Sequence, residues 1–142
     1  MFLKACGTRH LSVGVLTVLC VACSPSPFDA DVSGSITLDG KPVDPGVVVF
    51  SPVTAGKNAS RGNIDRSGGY FMKTKHDRGI DAGKYRVAVQ VYDKGEPPGP
   101  GERASPNLPP LVPEKYLKVE TSGLEYTVEP GSNRIDIALT SE

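Results

Sequence analysis

Apolar and polar residues alternate with a period of two along most of the chain beyond residue 31. Val32-Ser33-Gly34-Ser35-Ile36-Thr37-Leu38 sets apolar residues against small polar ones, the pattern of a strand with one buried face. Val47-Val48-Val49-Phe50-Ser51 is β-branched and aromatic, as in a buried strand. Tyr85, Val87, Val89 and Val91 alternate with Arg86, Ala88, Gln90 and Tyr92, the clearest such run. Leu124, Tyr126 and Val128 repeat the pattern, as do Ile135, Ile137 and Leu139. Between these runs lie turn formers: Asp39-Gly40, Pro42-Val43-Asp44-Pro45-Gly46, Arg66-Ser67-Gly68-Gly69 and Pro130-Gly131-Ser132-Asn133. The spacing predicts seven strands, near 32–38, 46–51, 60–65, 69–74, 84–92, 123–129 and 133–139. The third and fourth read as a hairpin, and the sixth and seventh as a C-terminal hairpin. No window of ten residues carries a helical stripe. Seven short strands in about 110 residues predict an all-β, seven-stranded Greek-key β-sandwich made of two packed antiparallel sheets.

Two segments break the pattern. Residues 93–113 carry seven prolines, which lack the N–H that a central strand needs. The stretch is also long for a plain connection. Its first half, from Gly95 to Glu102, has no apolar anchor and is expected to be exposed and mobile. Leu108, Leu111, Val112 and Tyr116 are expected to pack back on the domain, the last three buried. At the other extreme, residues 11–22 form an apolar run of 12, behind Lys4 and Arg9. That is short of the ~20 residues a bilayer-spanning helix requires, and it has the layout of an export signal.

Composition narrows the chemistry. The 142 residues hold 16 basic and 16 acidic side chains. Loss of Lys4 and Arg9 with the leader leaves 14 against 16, a net charge of −2. The Lys and Arg residues are scattered singly in the sequence, without the basic stripe that nucleic acid demands. The three cysteines, Cys6, Cys20 and Cys23, all precede the β region, so neither a disulfide framework nor thiol chemistry is expected inside it.

Leu19-Cys20-Val21-Ala22-Cys23 resembles the lipobox of bacterial prolipoproteins, with a small residue directly before the cysteine. The resemblance implies cleavage after Ala22 and lipidation of Cys23. Ser24-Pro25-Ser26-Pro27 would then be an extended tether. Thioether diacylglycerol plus an N-acyl chain suffices for stable anchoring, where a single chain is marginal.

The β region carries a second resemblance. Gly34-Ser35-Ile36-Thr37-Leu38-Asp39-Gly40-Lys41-Pro42-Val43, with Gly46-Val47-Val48-Val49-Phe50, is similar to the opening of carboxypeptidase regulatory-like domains. These are transthyretin-like (prealbumin-like) sandwiches. Asp65 to Tyr70 fits that family's D-x-x-G-x-Y hairpin, and Gly83-Lys84-Tyr85-Arg86-Val87-Ala88-Val89 its G-x-Y-x-V-x-V strand. Leu111-Val112-Pro113-Glu114-Lys115-Tyr116 and Thr121-Ser122-Gly123-Leu124 resemble a subfamily of small bacterial lipoproteins with this domain. The organisation implied is a signal peptide at 1–22, a tether at 23–31 and a carboxypeptidase regulatory-like domain at 32–140. Tyr70 and Tyr85 read as core aromatics whose hydroxyls bond at the sheet edge.

No catalytic set emerges. His76, the one histidine beyond the leader, lies in polar Lys73-Thr74-Lys75-His76-Asp77-Arg78 and reads as a surface residue rather than a base. H-x-x-E and H-E-x-x-H are absent, and the C-terminus lacks the Tyr-Arg-Gly-Ser of hydroxyisourate hydrolases. Asp29, Asp31, Asp39, Asp44, Asp65 and Asp81 lie near the tether or in turns without EF-hand spacing, so each reads as a turn stabiliser. The expectation is a non-enzymatic module without cofactor or metal, held at the cell envelope by a lipid anchor in the membrane and contacting an envelope protein, not nucleic acid. The alternative is a binding module for glycan or calcium, for which Tyr92 is the one suggestive aromatic.

Overall fold

The computed structural model describes residues 27–43, 45–93 and 108–142. The leader, Cys23, Asp44 in its turn and the first half of the proline-rich loop lie outside the described residues. Within them the chain is all-β. Its strands are β1 (Ala30–Leu38), β2 (Lys41–Pro42), β3 (Gly46–Pro52), β4 (Ser60–Ile64), β5 (Gly69–Thr74), β6 (Asp77–Arg78), β7 (Gly83–Val91), β8 (Leu124–Val128), β9 (Gly131–Arg134) and β10 (Ile137–Leu139). Glu114–Leu117 forms a 3₁₀ turn. No helix among the described residues is long and apolar enough to cross a membrane.

Each of the seven expected strands is present. β1 begins at Ala30, two residues early, tied by reciprocal backbone hydrogen bonds with Ile80 at 3.1 and 2.8 Å. The additions, β2 and β6, are two-residue ribbons made by tight turns. Asp39 and Gly40 both have positive φ, 50° and 80°, so the Asp-Gly pair folds Lys41 back onto Leu38. The seventh strand is broken into β9 and β10. Asp136 causes the break: its Oδ1 accepts from the Ser35 N–H (2.8 Å) and hydroxyl (3.0 Å), replacing a backbone acceptor in the ladder.

The pairing order is β10-β1-β5-β4-β3-β7-β8, with β2 and β9 also on β1 and β6 on β5. Two expectations are corrected here. The described strands hydrogen-bond into one continuous curled sheet, in which β9 and β10 run parallel to β1 rather than antiparallel to a neighbour. The C-terminal hairpin does not form, because β8 pairs with β7 at the other end of the order. Asn133 explains why. Its side chain accepts from the Glu129 N–H (2.9 Å) and donates to the Glu129 carbonyl (2.7 Å), the two groups that a hairpin partner would use. The chain therefore crosses from one end of the sheet to the other through Glu129 and Pro130 alone. So short a crossing brings the two ends together and curls the sheet around its core.

That core is the inward half of the alternation. Ile36, Val48, Phe50, Met72, Val87, Val89 and Ile137 are fully buried. Phe50 is the hub, with Tyr85, Tyr70 and Tyr126 rings at centroid distances of 5.9, 6.3 and 6.5 Å. Such pairs add about 0.5–1.5 kcal/mol each beyond their buried area. Gly34 lies opposite Tyr70 on β5. A Cβ there would come within 1.9 Å of the Ile135 carbonyl oxygen and 3.2 Å of the Tyr70 ring, so only glycine fits.

Candidate functional site

The groups capable of chemistry are mostly engaged in holding the fold. Tyr70 donates its hydroxyl to the Ile135 carbonyl at 2.7 Å, and Tyr85 donates to that of Asp81 at 2.7 Å. Burial pushes both phenols up, Tyr85 to about 12 and Tyr70 further. Both are the core aromatics with edge-bonded hydroxyls that their sequence context predicts. Asp65 Oδ1 accepts from the hydroxyl and N–H of Ser67 (2.6 and 2.8 Å) and from the Gly69 N–H (3.1 Å), closing the D-x-x-G-x-Y turn. The Ser67 hydroxyl is the main reason its carboxyl sits below the ordinary value. Asp136 is likewise lowered, first by Arg134 and then by Ser35. Asp39 accepts from the Ser141 N–H, and Asp31 pairs with Arg78. Ser60 and Thr74 are buried against each other at 2.6 Å. His76 is exposed at the tip between β5 and β6. Among the described residues no three His, Cys, Asp or Glu side chains gather as a metal site.

The described ends of the proline-rich loop are zipped together. The Asp93 N–H donates to Pro109 O (2.9 Å), and the Leu111 N–H to Val91 O (2.8 Å). Val112 and Tyr116 are buried, as the sequence predicts. Leu111 is not: it is 46% exposed, and Leu108 is 38% exposed. The β-like bond to Val91 forces alternation here, so when Val112 faces the core its neighbour must face out. Leu111 joins Leu38, Pro42, Val43 and Val91 in lining a shallow depression of about 310 Å³.

A second surface is one that the sequence reading missed. The cations counted there as scattered gather on the outward face of β4 and β5. Arg61 stands directly opposite Lys73, and Asn63 opposite Phe71. Together with Ala59 and Lys75 they line a depression of about 400 Å³ that holds three cations and no carboxylate. Phe71 is 43% exposed, with Lys73 Nζ 5.1 Å and Arg78 Cζ 5.6 Å from its ring centre. Two features of this surface cost stability. Like charges placed directly across a strand pair repel. Lys75 also has a φ of 58°, a left-handed conformation worth about 1 kcal/mol of strain outside glycine. The missed signal was parity: Arg61, Asn63, Phe71, Lys73 and Lys75 are all on the solvent phase of one hairpin, and its register brings them together. Tyr92, the other exposed aromatic among the described residues, pairs with Pro110 at the end of β7.

Comparison with known proteins finds no matching family model, no similar curated protein and no similar solved structure.

Proposed function

We propose that this chain is a lipid-anchored module of the bacterial cell envelope that works by binding rather than catalysis. Its folded part is read as a seven-stranded Greek-key sandwich of the carboxypeptidase regulatory-like, transthyretin-like class. The observation that carries the reading is a juxtaposition along the chain. An apolar run of 12 residues closes on Ala22-Cys23, and the first strand begins seven residues later, at Ala30. Seven residues, several of them proline or serine, form a tether of at most about 25 Å.

The fold assignment draws support from the order β1-β5-β4-β3. After β1 come β3, β4 and β5, joined by consecutive hairpins, and the last of them lies beside β1, an order that fits Greek-key winding. The non-catalytic reading draws support from the carboxylates and hydroxyls that spend their bonds on turns and crossings. Exposed Leu108, Leu111 and Tyr92, grouped where the proline-rich loop leaves and rejoins the domain, suit contact with an envelope protein.

Cell fractionation tests the reading. Wild-type protein is expected in the membrane fraction and to incorporate labelled palmitate. Cys23→Ser is expected to lose the label and either leave the membrane or accumulate uncleaved. A Cys23→Ser protein with unchanged labelling and processing would reject the anchor.

A further inference from the structure

We infer that the cationic outer face of β4 and β5 is a second membrane contact, docking the domain on anionic phospholipid. Arg61, Lys73 and Lys75 surround the exposed Phe71 ring with no carboxylate in the depression they line. Among the described residues none of the three is in an ion pair, whereas Arg86 and Arg134 elsewhere pair with Glu125 and Asp136. An aromatic ring framed by basic side chains is the composition that settles at a headgroup layer: the ring enters the interface and the cations meet phosphate.

Position argues for a bilayer over a dissolved polyanion. Phe71 pairs with Ser33 of β1, and Arg78, over the same ring, bonds Asp31 at 3.4 Å. The patch thus adjoins the point where the chain enters the fold, seven residues after Cys23. On the anchor reading above, on which the biological setting rests, a tether of at most about 25 Å keeps this face close to the bilayer. The effective concentration of headgroups is then high enough for three charges and one ring to hold the domain down. The opposed Arg61–Lys73 pair and the left-handed Lys75 fit the same reading, since both give up stability for positive charge.

The test uses the full chain carrying Cys23→Ser, so no acyl chain contributes. Partitioning is measured on vesicles of phosphatidylcholine alone and of an equal mixture with phosphatidylglycerol. Preference for the mixed vesicles is expected. A basic residue near an anionic surface is worth about a five-fold change in partitioning, so Arg61→Gln with Lys73→Gln should weaken it about 25-fold. The leader is common to every variant and cancels in the ratio. Lys75→Gly should weaken binding about five-fold while raising Tm, because glycine relieves the strained φ; misfolding cannot imitate that pair of results. Equal partitioning on both lipids, or no effect of the double variant, overturns the proposal. So does displacement by inorganic phosphate or dextran sulfate at constant ionic strength, which marks a site for a free anion or a polysaccharide. None of these results depends on acylation: an unmodified Cys23 in the native protein rejects the anchor alone, and lipid-blind partitioning rejects the patch alone.

Discussion

At the scale of single residues, the fold depends on a few side chains whose bonds replace backbone ones. Gly34 and Tyr70 form one such unit: the missing Cβ admits both the Tyr70 ring and the Ile135 carbonyl that the phenol binds. Gly34→Ala is expected to cost about 2–3 kcal/mol, read by denaturant unfolding, because backbone has to move. Tyr70→Phe should cost about 1 kcal/mol at neutral pH for the lost hydrogen bond. It should also change the alkaline limb. The folded phenols of Tyr70 and Tyr85 sit above the ordinary 10.0, so their stabilisation is complete below that pH and is lost as pH rises through the folded values. Wild-type Tm should therefore fall above pH 10, and Tyr70→Phe should fall less. Asp65 and Asp136 act in the opposite sense. Their carboxyls sit below the ordinary 3.8, so their contribution is present above that pH and lost as pH falls through the folded values. A pH series of thermal melts checks both limbs.

At the scale of elements, alternation located each main strand and Asp39-Gly40 announced its turn, because both signals are local. Pairing partners were not legible. Nothing in the spacing of Val128 and Ile137 says that Asn133 will occupy the Glu129 backbone and send the last strand across to β1. Asn133→Ala is expected to cost about 1–2 kcal/mol, for a loss of two ties to Glu129 and a third to the Gly131 carbonyl. The segment after the proline-rich loop offers a sharper contrast. Val112→Ala should cost about 2 kcal/mol as a buried truncation, and Leu111→Ala about 0.5 or less. Equal costs would mean that the alternation imposed by Val91 does not hold. The cationic hairpin face was hidden for a related reason: Arg61 and Lys73 are twelve residues apart in sequence and face each other only once the register is set.

For the whole molecule, the curled sheet presents two surfaces of different character: an apolar one around Leu111 where the proline-rich loop is rooted, and a basic one around Phe71 beside the chain entry. A net charge of zero hides the second, since balanced totals carry no information about where charges meet. Both surfaces gain their meaning from the proposed anchor, which would set what each can reach. The most direct measurement is therefore mass spectrometry of the N-terminal peptide of the protein isolated from its native membrane. The account requires a chain that begins at Cys23 and carries the mass of a thioether-linked diacylglycerol and an N-acyl group. An N-terminus at another residue, or an unmodified Cys23 thiol, would contradict it.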